Sequence, residues 1–361
     1  KVNPEFGTLE DFQALVNKAH SLGMYVILDW VPGHTGWDHH WINENSDFYL
    51  KNRKGEIIDP IDFRTGKSFG WTDVADLNYD NLEMREAMRQ AMIYWVKEVN
   101  IDGYRIDQAY AVPQEFYDTT FAALKEVKPV FLLAETDIYH PGGLGLVSKF
   151  DATYDWPGHH LSKEVAKGKQ TAYDYSKHVA GALKSYGTEN ILVNFISNHD
   201  ENSWNGTVQE RMGDAAEVMA VLSYTIPGMG MIYNGQEAGL NKRLAFFEKD
   251  TISWDEMPYY NLYSTLNKLK KDNPALWNGE YGGSITRLGD ESNQYVFAFY
   301  READNNNVIS ILNLSNKPQS FEFESSNING DYMDAIKGET ITIQGKTVIN
   351  MDAWDYLVLV K

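Results

Sequence analysis

The 361-residue chain contains no cysteine. That excludes disulfides, thiolate metal sites and a cysteine nucleophile. It also lacks any Lys/Arg-rich block, and 32 Lys+Arg against 51 Asp+Glu give a formal net charge of −19. A nucleic-acid binder needs a positive footprint, so no nucleic-acid partner is expected. The same balance argues against an anionic membrane surface. No apolar run approaches the ~18 residues of a membrane span. Internal repeats, low-complexity tracts and signal-like segments are absent from the sequence as well. The chain opens Lys1-Val-Asn-Pro4 without Met and enters patterned sequence at once. It therefore reads as a fragment or a processed chain, which leaves its compartment open. Oligomeric state is open too.

Apolar and aromatic residues are plentiful, at 43% and 13%, with 22 Tyr and 10 Trp. That suffices for a large core, and the length suits one large domain plus a smaller one, or two or three of medium size. Thr8-Leu-Glu-Asp11 reads as a capped helix start, with Leu9, Phe12, Val16, Ala19 and Leu22 at helical spacing and Gly23 as the stop. Met24–Val31 follows as a nearly continuous apolar run, the pattern of a parallel strand buried on both faces, broken by Asp29. From Trp37 to Asp80 periodicity is lost over a stretch too long for a structureless loop, so a small inserted subdomain is expected at 37–80. A helix starting at Asp80-Asn-Leu-Glu83 should carry Leu82, Met88, Trp95 and Val99 on one face.

The alternation then continues. Strands are expected at Ile101–Asp107, Val130–Ala134, Phe150–Asp155, Ile191–Ile196 and Met229–Tyr233. Helices are expected at Pro113–Val127, Thr171–Tyr186, Gly213–Thr225 and Tyr259–Lys271. The spacing predicts a parallel α/β fold over 1–36 and 81–278, either a (β/α)8 barrel or an open sheet. Six strands fall within the chain; a closed eight-stranded barrel would place two more ahead of Lys1. From 279 to 361 short strand-like runs separated by turn residues predict an all-β C-terminal domain, a sandwich.

In a β/α barrel the chemistry sits at the carboxyl ends of the strands. Here those ends carry His34, Arg105 with Asp107, Glu135, and His199 with Asp200. Residues two apart on a strand share a face, so Arg105 and Asp107 project together and the guanidinium can keep the carboxylate ionised. An unpaired charge after so apolar a run is costly, so three strands each delivering a carboxylate point to a site. Two carboxylates flanking a bond are the basic machinery of glycoside hydrolysis: one ionised to attack, one protonated for the leaving oxygen. Asp107 beside Arg105 suits the first role. Glu135 has no neighbouring cation in sequence, which suits the second. Asp200, His199 and His34 could hold sugar hydroxyls.

These motifs resemble those of the α-amylase family of glycoside hydrolases. Asp29-Trp-Val-Pro-Gly-His-Thr35, Gly103-Tyr-Arg-Ile-Asp107, Ala134-Glu-Thr136 and Phe195-Ile-Ser-Asn-His-Asp200 look like its four conserved regions, in family order. Val74-Ala-Asp-Leu-Asn78 and Gly228–Gly239 resemble two further segments. The resemblance implies a (β/α)8 TIM barrel, an insert after the third strand and a C-terminal β domain. It implies Asp107 as nucleophile, Glu135 as acid/base and Asp200 as a sugar-distorting carboxylate, with His34, Arg105 and His199 as substrate contacts. The implied substrate is starch or a maltooligosaccharide. Gly33 stands where many members carry a calcium-binding Asn, and Tyr110-Ala111 replaces a common Lys-His pair. These departures disturb the usual calcium site, while calcium remains open, with Asp76 as one candidate carboxylate toward the ~6–8 oxygens it takes. Alternatives with the same chemistry are a cyclomaltodextrinase or neopullulanase, an α-glucosidase or a transglycosylase. A non-catalytic glucan-binding relative is a further class.

Overall fold

The computed structural model describes residues 1–62, 65–290 and 293–361. Phe63 and Arg64 of the expected insert lie outside the described residues. The chain forms two compact units, Lys1–Tyr154 and Asp155–Lys361.

In the first unit, helix α1 (Leu9–Ser21) begins at a reciprocal capping box between Thr8 and Asp11. Strand β1 (Ile27–Trp30) follows, then the segment preceding α2 (Leu82–Glu98), β2 (Gly103–Ile106), α3 (Gln114–Val127), β3 (Phe131–Ala134) and β4 (Ala152–Tyr154). The four strands pair in parallel in the order β1-β2-β3-β4. Their register puts Asp29, Arg105, Leu133 and Ala152 in one row, and Trp30, Ile106, Ala134 and Thr153 in the next. Asp107 and Glu135 are thus the first residues past two adjacent strands. One apolar cluster joins these strands to Met84, Met88, Met92 and Trp95 of α2 and to Phe116 and Leu124 of α3.

Gly103 makes the close strand pairing possible. It sits at φ +153°, and a Cβ there would collide with the Phe131 carbonyl of the neighbouring strand.

The segment between β1 and α2 holds two short antiparallel pairs, His34–Gly36 with Val74–Asp76 and Ile61–Asp62 with Lys67–Ser68. Phe48, Tyr49, Ala75 and Leu77 from it join the core of this unit.

Two expectations for this unit need correction. The strand at 24–31 is not buried on both faces: Met24 and Tyr25 are exposed, and only Ile27–Trp30 is paired. Among the described residues β1 pairs with β2, and Ile27–Trp30 are partly or fully exposed. Leu82 is exposed because it opens α2; the buried row begins at Met84, two residues in.

The second unit begins with α4 (Trp156–Ala166), which was not expected. The local signal is present, since Asp155 caps Gly158 N–H and Pro157 lies in the first turn. Helix α5 (Ala172–Tyr186), β5 (Ile191–Phe195), α6 (Ala216–Thr225), β6 (Met229–Met231) and α7 (Tyr260–Asp272) continue the alternation, with β5 and β6 parallel.

The C-terminal strands are β7 (Ser284–Arg287), β8 (Val296–Ala303), β9 (Asn306–Asn313), β10 (Gln319–Asp334), β11 (Thr340–Met351) and β12 (Tyr356–Val360). They are antiparallel in the order β7-β8-β9-β12-β10-β11. The β10–β11 arm is hydrogen-bonded in register with β12 at Met333 and Asp334. Its Phe321, Phe323 and Ile343 share an apolar cluster with Val296, Ile309 and Leu357, so the sheet doubles over its own core as a sandwich. The runs at 340–343 and 347–349 are one strand, paired with β10 across a register shift between Ser325 and Gly330. The face formed by Phe297, Phe299, Val308 and Val358 packs with α6 and α7.

Candidate active site

The first unit gathers Asp29, Arg105, Asp107 and Glu135 at the carboxyl ends of β1, β2 and β3. Arg105 is buried, and its side chain is only 7% exposed. Its Nη1 donates to Asp29 Oδ1 at 2.7 Å and to Asp107 Oδ1 at 2.8 Å. Nη2 lies 2.9 Å from Glu135 Oε1. The guanidinium also sits 5.9 Å from the ring centre of Tyr154 at the end of β4. Burial works against its charge, but Glu135, Asp29, Tyr154 and Asp107 together outweigh that and hold its pKa above the ordinary arginine value.

The backbone builds this geometry. Asp107 N–H donates to the Trp30 carbonyl at 2.9 Å, and Glu135 N–H to the Ile106 carbonyl at 2.9 Å, so the ladder runs one step beyond each strand. Gln108 then adopts a left-handed conformation (φ +39°), and its N–H donates to Glu135 Oε2 at 3.0 Å. Glu135 is therefore held at both oxygens. No cation neighbours Glu135 in sequence, but Arg105 reaches it from the adjacent strand, a contact invisible in local sequence. Asp29 was read as an interruption of an apolar run, and the register makes it a third carboxylate on the same guanidinium. The signal was the cost of an unpaired charge in such a run.

His34 opens the short strand beyond β1, in register with Asp76. It lines a cavity of about 390 Å³ together with Trp71, Asp76, Gln108 and Tyr110. Burial lowers its pKa, partly opposed by Asp107 and Asp73, so it is a neutral imidazole at pH 7. The residues near Asp76 do not fit a calcium ion. The Asp76 carboxylate accepts the Ile61 N–H at 3.2 Å, and the Gly33 carbonyl accepts the Leu77 N–H at 3.0 Å. Asp59 accepts the Ser68 hydroxyl. Burial raises the Asp76 pKa to about 6, so this carboxyl is held as a partly desolvated hydrogen-bonding group.

In the second unit, His199 and Asp200 follow β5, with His199 Nε2 3.6 Å from Asp200 Oδ2. Both are partly exposed, and the loop that carries them is firmly held. Arg211 donates to the carbonyls of Ile196 and Gly206 and to Ser197 Oγ, at 2.8 to 2.9 Å. Glu201, next to Asp200, is buried against His159 at 3.1 Å, Lys163 at 3.0 Å and Arg211 at 3.3 Å. Burial opposes its charge, but His159 and Lys163 hold its carboxyl far below the usual range. His159, His160 and Glu201 lie close enough to hold a metal ion. Lys163 and Arg211 already neutralise that carboxylate, so a further cation would be repelled. Sequence reasoning missed Glu201 and Arg211, whose roles depend on contacts between distant segments.

Known proteins resemble the chain in sequence and in fold. Residues 1–129 match the family model described as "Alpha amylase, catalytic domain". Over those residues the chain is similar to the α-amylase family. It is 26% identical over 358 residues to Alpha-amylase 2 of Dictyoglomus thermophilum, covering 95% of this chain and 61% of that protein. It is 25% identical to a Bacillus cyclomaltodextrinase over 87% of this chain and 58% of that protein. The chain thus spans about three-fifths of the length of these relatives. Among solved structures it is similar to the maltogenic α-amylase AmyB of Thermotoga neapolitana, with TM-score 0.83, 24% identity, and 98% and 81% of the two chains covered. A cyclomaltodextrinase structure gives TM-score 0.85 at 21% identity, covering 100% of this chain and 64% of that one. The chain shares the fold of these structures, a (β/α)-barrel type of domain followed by an all-β domain.

Proposed function

We propose that the protein is a retaining hydrolase of α-1,4-glucosidic bonds in starch or maltooligosaccharides. The observation that carries this reading is one buried guanidinium, Arg105, holding Asp107 and Glu135 at the ends of adjacent strands. Paired carboxylates are the machinery of glycoside hydrolysis, and the retaining course follows the resemblance of Asp107 and Glu135 to the family's nucleophile and acid/base.

In the first step an Asp107 oxygen attacks the anomeric carbon. The bond to the leaving glucosyl oxygen breaks, and Glu135 gives that oxygen its proton. In the second step Glu135 takes a proton from water, the water oxygen attacks the same carbon, and the bond to Asp107 breaks. Two inversions give net retention. His34 would bind a sugar hydroxyl, and Arg105 positions both carboxylates; in the second unit, His199 and Asp200 would bind hydroxyls of an α-glucan.

The test is Asp107→Asn and Glu135→Gln in the full-length protein. Each should lower kcat on amylose by roughly a thousandfold or more with the melting temperature little changed. Turnover near the unaltered level in either variant overturns the assignment. Product profiles on amylose, pullulan, cyclodextrin and maltose separate α-amylase action from the cyclomaltodextrinase, α-glucosidase and transglycosylase readings. Glucan binding without release of reducing sugar would support a non-catalytic relative.

A further inference from the structure

The second unit displays three neighbouring aromatic side chains to solvent. Trp204 is 55% exposed, Phe246 45% and Phe247 72%. Their ring centres lie 4.9 Å apart for Trp204–Phe246, 6.1 Å for Trp204–Phe247 and 5.0 Å for Phe246–Phe247. An isolated exposed aromatic needs no explanation, but a contiguous cluster does.

A loose loop is not the explanation. Asn202 and Ser203, beside Trp204, lock onto the segment that carries both phenylalanines. Asn202 donates to the Lys242 carbonyl at 3.0 Å and accepts the Leu244 N–H at 2.8 Å. Ser203 donates to the Leu244 carbonyl at 2.9 Å. Asp250 accepts the N–H groups of Ala245 and Thr251 and is paired with Lys242. Arg243 pairs with Glu210 through two nitrogens, and Thr207 donates to Asn241. The rings are preorganised while exposed, which is the condition under which a surface binds without a large ordering cost.

The cluster also continues from the loop beyond β5. His199 stacks on Phe246, with centroids 6.4 Å apart and planes 25° from parallel. Trp204 stands four positions beyond Asp200 on the same loop.

We propose that Trp204, Phe246 and Phe247 form a sugar-stacking platform for a glucosyl unit of an α-glucan chain, outside the units held at His199 and Asp200, so that longer chains bind more tightly. This rests on the α-glucan reading given above. A pyranose ring presents an apolar C–H face within a rim of hydroxyls, and aromatic faces complement that face. The chain's net charge of −19 suits a neutral polyhydroxylated ligand better than an anionic one.

The test measures binding of maltotriose and maltoheptaose by calorimetry to the full-length Asp107→Asn protein, in which bound sugar is not consumed. Trp204→Ala and Phe247→Ala are then added singly and together. Each is expected to weaken maltoheptaose binding roughly three- to tenfold and maltotriose binding less, so the preference for the longer chain falls. An unchanged preference in all three variants, with melting temperatures unaltered, overturns the platform. A change confined to the sedimentation coefficient also overturns it, because the cluster would then be a contact between protein chains.

The two readings fail separately. If the unaltered protein hydrolyses amylose and the chain-length preference does not move, only the platform falls. If it hydrolyses no α-glucan yet maltoheptaose affinity depends on Trp204, the catalytic reading falls and the platform stands.

Discussion

Replacing Arg105 probes the whole site at once. Its guanidinium touches Asp29 and Asp107 through Nη1 and Glu135 through Nη2. Lysine keeps the charge but offers a single nitrogen, so it cannot span all three carboxylates in the same geometry. Losing one charge-assisted hydrogen bond costs about 1.5–3 kcal/mol. If that bond acts in the transition state, Arg105→Lys lowers kcat/KM on amylose by roughly 10- to 150-fold. Methionine fills part of the volume and removes the charge. Three carboxylates are then left on adjacent strand ends without their common partner, a change that costs about 3–5 kcal/mol. At ~2–4 °C per kcal/mol for a unit of this size, the melting temperature should fall by about 6–20 °C. Steady-state kinetics on amylose and calorimetric melting at pH 7 read the two effects separately. An Arg105→Lys protein with unaltered kcat/KM, or an Arg105→Met protein melting within a degree or two of the original, would refute the argument that one guanidinium organises the site.

Two further outcomes follow from the first unit. Burial raises the Asp76 carboxyl from its ordinary value to about 6, so between those two values the folded state holds more protons than the unfolded one. Stability from this group is full at low pH and is lost as pH rises through about 6. Discounted for partial exposure, Asp76→Asn should gain ~1–2 kcal/mol at pH 7.5 and almost nothing at pH 4.5; equal melting shifts at both values would contradict the burial of this group. At Gly103 a Cβ would meet the Phe131 carbonyl, so Gly103→Ala should cost about 4 kcal/mol or more. A Gly103→Ala protein with unaltered urea unfolding would contradict the β2–β3 register.

Much of the fold was legible because apolar runs and helical spacing are local properties. The strands at 101–107, 130–134, 150–155, 191–196 and 229–233 and the capping box at Thr8 all appear where their patterns lie. Burial was less legible. Met24–Val31 reads as buried, yet Ile27–Trp30 are partly or fully exposed, because burial depends on what packs against a strand and not on its own residues. The helix at Trp156–Ala166 was missed although Asp155 and Pro157 marked its start. The two runs at 340–343 and 347–349 become one strand because β10 pairs along both.

By itself the sequence determined which residues end the strands. A carboxylate or histidine after a run of buried apolar residues is readable, since strand length and side-chain alternation are set by the residues themselves. It therefore named Arg105, Asp107, Glu135, His199 and Asp200. Only the tertiary structure decided who touches whom. The sequence paired Arg105 with Asp107 by their spacing; strand register added Asp29 from one side and Glu135 from the other. It could not foresee that Arg211 and Lys163 would neutralise Glu201 beside Asp200, or that Phe246 would stack on His199. Those contacts join segments tens of residues apart, and their partners are chosen by packing and register, which no local pattern encodes.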